Sequence, residues 1–252
     1  MTRTRLYIDA PLHVGARLEI DGDRARYVSR VLRLRPHDEL TLFNGLGGEH
    51  RATIHSFSKN SVRVTVDSHL PRDVESGLKI HLLQGISRGD RMDLVMQKAT
   101  ELGVTAITPI ISEYSVIKLE KNRAEKRLQH WRGICASACE QCGRNVPPVV
   151  SAPVRLRNWL GENVDSGGDR RLILKPGATT TLRSLEDCAE NLTVLVGPEG
   201  GFSDDEYTLA AATDFLAISV GPRVLRTETA AIAITAGLQI LFGDLATNQQ
   251  AD

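Results

Sequence analysis

One arrangement occurs twice near the C-terminal end of this 252-residue chain, and it restricts how the chain can fold. An apolar run at Leu192–Val196 leads into Gly197-Pro198, and a second run at Phe215–Val220 leads into Gly221-Pro222. A helix-starting sequence follows each turn, SDDE after the first and TET after the second. Ligands of open α/β sheets bind beyond the carboxyl ends of the strands, near helix N-termini, so two such loops side by side predict one pocket.

The glycines of these loops favour close approach of a ligand to the backbone. Gly200 and Gly201 tolerate positive φ, while Pro198 and Pro222 keep the glycines before them out of helical geometry. The loops contain neither the G-x-G-x-x-G spacing of a dinucleotide site nor the Lys-Ser/Thr pair of a P-loop. The alternative interpretation is that both are ordinary strand-to-helix turns.

Two patterns divide the chain into an N-terminal and a C-terminal part. Residues 1 to about 72 contain short alternating apolar runs separated by turn residues, which is typical of a small β barrel. From Lys79 onward, strand-like runs alternate with helical patterns, which predicts a parallel sheet covered by helices. We therefore expect domains at 1–72 and 73–252, joined by the polar segment Pro71–Gly77.

The same patterns predict the bounds of the individual elements. In the first domain the expected strands are 7–8, 17–20, 39–43, 51–54 and 62–66, with one inserted helix at Ala25–Leu34. In the second domain, strands at 80–85, 106–111 and 171–175 precede the two strands described above, and helices are expected at 90–102, 121–142 and 229–242. These elements together predict an α/β protein.

Five segments resemble, in the same order along the chain, the RsmE-type methyltransferases. They are YVSRVLRLRPHDELTLFNG, SRGDRMDLVMQKATELGV, ACEQCGRN, GPEGGFSDDE and VGPRVLRTETAAIAITAGLQ, which begin at residues 27, 87, 138, 197 and 220. The resemblance implies an α/β fold of the SPOUT class: a parallel sheet with a C-terminal trefoil knot, plus a small N-terminal PUA-like β-barrel domain. It also implies a homodimer that uses S-adenosylmethionine to methylate N3 of a uridine in 16S ribosomal RNA of the small subunit.

The resemblance places the cofactor on the backbone of three strand-end loops. The expected cofactor-binding residues are Leu174, Lys175, Pro176, Leu195, Val196, Gly197, Pro198, Glu199, Gly200, Gly201, Ser219, Val220, Gly221, Val224, Leu225, Arg226, Thr229 and Ala230. Catalytic roles are expected of Arg226, which would stabilise the uracil anion, and of Glu228 or Glu199, which would accept the N3 proton. Glu228 also has a structural alternative, because an acid in the first turn of a helix is favoured by the helix dipole.

Contacts with RNA must come from local cationic patches, because 31 basic and 31 acidic residues give the chain a formal net charge of zero. The candidates for phosphate contacts are Arg26, Arg30, Arg33, Arg88, Lys98 and Arg144. The first three share one face of the predicted helix, and Arg91 lies beside Arg88. The alternative for each is a solvated surface or a local ion pair, such as Lys98 with Glu101.

The spacing of Cys135, Cys139 and Cys142 offers a rival enzymatic interpretation. It resembles the three-cysteine motif that holds the iron–sulfur cluster of radical S-adenosylmethionine enzymes. Here, however, the cysteines fall at i, i+4 and i+7 of a helical pattern, where they would line one buried face as small apolar residues. We therefore expect no metal site.

The termini of the chain suggest where and in what state the protein acts. The N-terminal sequence has no apolar signal core and the chain has no long apolar span, so we expect a cytoplasmic protein without membrane contact. The final helix is apolar nearly all round, which favours coverage by a second subunit over burial within one chain. The alternative to an enzyme is a catalytically idle RNA-binding or ribosome-assembly factor.

Overall fold

The computed structural model describes residues 4–115, 121–165, 167–185 and 190–246, which form two compact units. The first unit comprises the residues up to Glu75 together with Ala136–Pro147, and the second comprises Ser76–Cys135 and the residues from Pro148 onward. Ala136–Pro147 joins the first unit through contacts with residues distant in sequence, among them the hydrogen bond from Arg5 Nη2 to Asn145 Oδ1 at 2.6 Å. The domains expected from the sequence, 1–72 and 73–252, are continuous in the chain and do not include this return of residues 136–147 to the first unit.

The first unit is built on five strands around one hydrophobic cluster. The strands are β1 (Arg5–Tyr7), β2 (Arg17–Asp21), β3 (Glu39–Phe43), β4 (Glu49–Phe57) and β5 (Ser61–Leu70), in the sheet order β1-β3-β4-β5-β2. The two edge strands bury Leu6 and Ile20 in the same cluster, so the sheet wraps around a common core. Register shifts between β4 and β5 act as bulges that bend the strands. The predicted β-rich domain is confirmed.

The predicted helix Ala25–Leu34 is wrong in its bounds. The structure has a short helix α1 (Gly22–Arg26), followed by one π-helical stretch at Tyr27–Val31. Arg33 lies beyond the helix with a positive φ of 54°. Because a π turn takes more residues than an α turn, the spacing of the arginines no longer gives a single helical face.

The second unit contains a parallel sheet, as predicted, with seven strands instead of the five expected from the sequence. Its strands are β6 (Lys79–Gly85), β7 (Ala106–Ile111), β8 (Val149–Val150), β9 (Val154–Arg155), β10 (Arg170–Leu174), β11 (Asn191–Val196) and β12 (Phe215–Ile218). The order is β12-β10-β11-β6-β7-β8, with β9 also paired to β7. The two-residue strands β8 and β9 were missed, because they are too short to show a period in sequence.

Helices cover both faces of this sheet. They are α2 (Asp90–Glu101), α3 (Lys121–Cys142), α4 (Leu156–Glu162), α5 (Asp204–Ala211) and α6 (Thr227–Phe242). Leu82 and Val194 pack in the cluster with α2, α3 and α6, whereas their chain neighbours Leu83 and Leu195 pack in the cluster with α4 and α5. This alternation follows from the two-residue period of a strand and explains the continuous apolar runs in the sequence. Within the ranges given above, no helix combines the length and apolar character needed to cross a membrane.

Candidate functional site

Three strand ends of the second unit meet around one cavity of about 450 Å³. Strand β10 lies between β11 and β12 and all three run parallel, so their carboxyl ends meet at one edge of the sheet. The cavity is lined by Arg91, Leu174, Lys175, Pro176, Val196, Gly197, Pro198, Glu199, Gly201, Phe202, Tyr207, Ile218, Ser219, Val220, Gly221, Arg223, Val224, Leu225, Arg226, Thr227 and Ala230. The single pocket expected from the repeated sequence arrangement is therefore present.

Three of the expected cofactor-binding residues lie outside this lining. Leu195 is fully buried in the core on the α4 and α5 side of the sheet. Thr229 lies on the exposed surface of α6. Gly200 is exposed and faces Tyr114, because a Cβ added at this position would lie 2.8 Å from the Tyr114 Cβ. The absence of a side chain at Gly200 thus accommodates Tyr114 and not the cavity.

Sequence reasoning missed an aromatic wall of the cavity. Phe202 and Tyr207 pack edge to face with ring centroids 5.8 Å apart, and Lys175 Nζ lies 4.7 Å from the centre of the Tyr207 ring. The Tyr207 hydroxyl donates to Leu174 O at 3.3 Å, and burial is the main cause that raises the pKa of this phenol. Tyr207 belongs to α5, whose position beside β10 is a long-range feature that no local motif indicates.

The first Gly-Pro loop, Gly197–Phe202, is held by close backbone packing. A Cβ on Gly85 would overlap the backbone nitrogen of Pro198 and would lie 2.7 Å from the Gly197 carbonyl carbon. Within the loop, Gly201 N donates to Pro198 O at 2.9 Å, and Gly201 has a positive φ of 69°. Strand β6 therefore needs a glycine at its end so that this loop can cross it.

A short hydrogen-bonded relay connects the first Gly-Pro loop to the start of α6. Thr227 Oγ1 donates to Gly197 O at 2.5 Å and accepts from Gln84 Nε2 at 2.9 Å. Gln84 is completely buried at the end of β6, and its Nε2 also donates to Gly85 O. Because the relay uses side chains from two distant elements, it positions the loop relative to the helix.

The carboxylate of Glu199 is engaged with the start of α2. Its Oε1 accepts from Arg88 N at 3.1 Å and from Arg91 Nη1 at 2.9 Å. Partial burial alone would raise the pKa of Glu199, but hydrogen bonds from its own backbone, from Arg88 and from Arg91 outweigh burial and lower the pKa overall. A carboxylate held in this way is a weak proton acceptor.

The other two expected catalytic residues, Arg226 and Glu228, differ in how far they are buried. Arg226 is exposed at the N-cap position of α6 and lines the cavity. Glu228 lies in the first turn of the same helix, is only 8% exposed and is not part of the cavity lining. Its Oε2 has no hydrogen-bond partner among the described residues. Of the two, Arg226 alone has direct access to a ligand in the cavity.

Comparison with known proteins identifies the family. The RNA methyltransferase domain family matches residues 74–239, and the RNA methyltransferase PUA domain family matches residues 20–67. The ribosomal RNA small subunit methyltransferase E of Buchnera aphidicola is 32% identical, over 95% of this chain and 94% of its own. The chain belongs to the ribosomal RNA small subunit methyltransferase E family. The resemblance read from the five sequence segments is confirmed.

Two solved structures share the architecture of this family member over nearly the whole chain. A protein of Legionella pneumophila, described as a methyltransferase in complex with bound cofactor SAM, has a TM-score of 0.92 and 42% identity, covering 97% of this chain and all of its own. The ribosomal RNA small subunit methyltransferase E of Neisseria gonorrhoeae, bound to S-adenosyl methionine, has a TM-score of 0.88 and 38% identity, covering 96% and 99%. The SPOUT-type parallel sheet and PUA-like domain are confirmed, and the trefoil knot stays a prediction.

The structure separates the expected RNA-binding residues of this methyltransferase into available and occupied side chains. Arg30, Arg33 and Arg88 are exposed. Arg26 is paired with Asp23 on the exposed surface, and Lys98 is paired with Glu101 on a partly exposed surface, both at 2.9 Å. The expected RNA contact of Arg144 is wrong, because Arg144 is only 4% exposed and its Nη2 lies 2.6 Å from Glu75 Oε2. The pairing organises the first unit and leaves Arg144 unavailable to a phosphate.

The three cysteines lie in the regular helix α3 and not in a loop. Cys135 and Cys139 are buried, and Cys142 is half-buried. A hydrogen bond with Cys142, together with burial, raises the pKa of the Cys139 thiol. Among the residues that the structure describes, no His, Cys, Asp or Glu group is arranged to hold a metal ion. Two buried thiols and one half-buried thiol on a regular helix fit the core role that we expected from the spacing.

Proposed function

We propose that this RNA methyltransferase transfers the methyl group of S-adenosylmethionine to N3 of a uridine in 16S ribosomal RNA. The observation that carries the proposal is the cavity at three parallel strand ends, lined by both Gly-Pro loops. Relatives named for small-subunit ribosomal RNA methylation and neighbours solved with the cofactor support it. An RNA substrate also agrees with the PUA domain match.

The cofactor would rest on the backbone that lines the cavity. The glycine backbone of both loops and the apolar groups of Val196, Ile218 and Leu225 line the cavity together, so it offers both hydrogen-bonding groups and apolar surface to a planar heterocycle. Bound S-adenosylmethionine supplies a sulfonium methyl group. The lining residues orient the two reactants and exclude water from them, which favours a reaction that neutralises opposite charges.

Arg226 is proposed to stabilise the uracil anion. Uridine N3 carries a proton at neutral pH, and its removal spreads negative charge over N3 and the two carbonyl oxygens. The lining contains the cations Arg91, Lys175, Arg223 and Arg226 with one carboxylate, Glu199. This excess of positive charge favours the anionic form of the base before methyl transfer. Glu199 is held by Arg88 and Arg91, so Glu228 is proposed as the proton acceptor, acting through one bridging water because its carboxylate lies outside the cavity lining.

We further propose a homodimer acting on ribosomal RNA in the cytoplasm. The C-terminal half of α6 leaves Ile240 54% and Leu241 47% exposed. These adjacent apolar side chains support coverage by a second copy, for which a symmetric pair is the commonest arrangement. Exposed Arg30 and Arg33 are proposed as phosphate contacts of the first unit.

Two measurements test the proposed function. Calorimetry should detect S-adenosylmethionine binding to the purified protein, and mass spectrometry of 16S ribosomal RNA should show one methyluridine missing from cells that lack the gene. The wild-type gene should restore the modification, whereas Arg226→Ala should restore it poorly. A protein that binds RNA but does not bind S-adenosylmethionine would instead be an idle assembly factor.

A further inference from the structure

We infer that Glu199 is a positioning residue: it holds the Arg91 guanidinium at the mouth of the cavity, where Arg91 binds a phosphate of the RNA substrate. The inference rests on the proposed function, because it assigns a substrate contact to the same site. It changes the role that sequence reasoning gave to Glu199, from proton acceptor to anchor. It also gives Arg91 a specific task within the active site.

The geometry ties two parts of the second unit together through one carboxylate oxygen. Glu199 belongs to the first Gly-Pro loop, whereas Arg88 and Arg91 flank the start of α2. Glu199 Oε1 accepts from the Arg88 backbone at 3.1 Å and from Arg91 Nη1 at 2.9 Å. These two donors come from residues three positions apart, so the carboxylate orients both the side chain and the loop that carries it.

A proton acceptor needs a different environment. The hydrogen bonds that lower the pKa of Glu199 stabilise its charged form, and a base works best when its pKa lies near the operating pH. Accepting a proton on Oε1 would also weaken the contact with Arg91, whose guanidinium cannot release a proton in exchange. The same contacts are well suited to holding a cation in place.

Arg91 has the exposure and the donors that phosphate recognition requires. Its side chain is 44% exposed and lines the cavity. A guanidinium has five N–H donors in a planar fork, and the contact with Glu199 uses one nitrogen. Arg91 also lies in the first turn of the 12-residue helix α2, where the helix dipole favours a bound anion.

The chemistry of the substrate explains why this position is useful. A uridine whose base enters the cavity leaves its phosphate group at the rim, because the phosphate is attached to the ribose and not to the base. Lys175 packs on Tyr207, and Arg226 is proposed to face the base. Arg91 is attached to a different element, α2, and its anchor Glu199 belongs to the loop that forms the cavity wall.

The first arm of the test replaces the cation. Arg91→Ala should raise KM for the RNA substrate about tenfold and reduce the salt slope of RNA binding by about one unit, as expected for one lost phosphate contact. Affinity for S-adenosylmethionine, measured by calorimetry, should stay within about twofold of wild type. Arg157→Ala is the matched control, because Arg157 is exposed in the same unit and is not part of this cavity lining.

The second arm replaces the anchor. Glu199→Gln should raise KM for RNA about threefold and lower kcat less than threefold, with the pH profile of kcat retained. Combining it with Arg91→Ala should add nothing to the single Arg91 effect, because the anchor acts through the arginine. A proton acceptor would behave differently, since its loss lowers kcat by about 10²–10⁴-fold and changes the pH profile.

Two results would overturn the inference. One is an Arg91→Ala enzyme with wild-type KM and salt slope, and the other is a Glu199→Gln enzyme that loses the pH dependence of kcat. Failure of the proposed function itself would be distinguishable, because the wild-type protein would then neither bind S-adenosylmethionine nor methylate the small-subunit RNA. Correct folding of each variant is checked by its cooperative thermal unfolding.

Discussion

The two Gly-Pro loops begin alike in sequence, and the structure holds them in different ways. The first crosses the end of β6 at Gly85, receives a hydrogen bond from Thr227 at Gly197 O and is tied to α2 through Glu199. The second Gly-Pro loop, Gly221–Arg226, makes mainly short-range contacts, such as Ser219 Oγ donating to Gly221 O at 3.0 Å. Its Val224 is 83% exposed.

This difference shows that similar turn sequences can form two kinds of cavity wall. The first loop is held by other elements of the unit, and such contacts preorganise a binding loop for its ligand. The second loop presents exposed apolar and cationic side chains that a ligand or partner can cover. Substitutions that remove the packing should therefore affect the first loop most strongly.

The largest effect is expected from Gly85→Ala. The new methyl group would overlap the Gly197-Pro198 peptide, so the loop must move or the strand must shift. We expect S-adenosylmethionine affinity to fall at least about 100-fold and stability to fall by about 1–3 kcal/mol. Calorimetry and chemical denaturation measure the two. Gly77→Ala, where a Cβ meets no atom within 4 Å, serves as the control.

A smaller effect on cofactor binding is expected when the link between the first loop and α6 is removed. Thr227→Val keeps the shape of the side chain but leaves Gly197 O and Gln84 Nε2 without this partner. The expected loss of stability is about 1–3 kcal/mol, with weaker cofactor binding. Thr227→Ser should restore both, because it keeps the hydroxyl group. Equal losses in the Val and Ser variants would contradict the relay.

The second loop should respond through backbone strain alone. Gly221 has a positive φ of 85°, and a Cβ there would meet no atom within 4 Å. Gly221→Ala should therefore cost about 1–2 kcal/mol in thermal unfolding without a steric clash. Gly221→Asn should cost less, since Asn tolerates this conformation. A cost as large as that of Gly85→Ala would mean that the second loop is packed as tightly as the first.

The smallest effect is a pH dependence confined to the first loop. Glu199 has a lowered pKa in the folded protein, so its contribution to stability is present above its unfolded value near pH 4.5 and is lost as pH falls through the folded pKa. The Arg88 amide signal in NMR should titrate with this low pKa. Glu199→Gln should abolish that titration. If the amide signal of Gly221 also shifted with the same pKa, the two loops would be coupled.

Much of the second unit could be predicted from sequence because its signals are local. Strand β11 is a mostly apolar run, and helix α2 carries its buried residues at helical spacing. Parallel strands that alternate with helices bring their carboxyl ends together. The positions of both Gly-Pro loops at the cavity followed from this rule. The π-helical stretch at Tyr27–Val31 did not, because apolar spacing in the sequence predicts ordinary α-helical turns; in the structure its Val28 is buried in the core of the first unit.

The sequence by itself determined the order of elements, the two strand-end loops and the membership of the family, since all of these depend on residues adjacent in the chain. Tertiary structure alone decided which loop residues face the cavity. Gly200 accommodates Tyr114, Arg144 pairs with Glu75, and Glu199 meets Arg91 because residues far apart in sequence are brought within a few ångströms. Motifs carry no information about such partners, and the partners determine whether a charged side chain is an anchor, a core residue or a ligand contact.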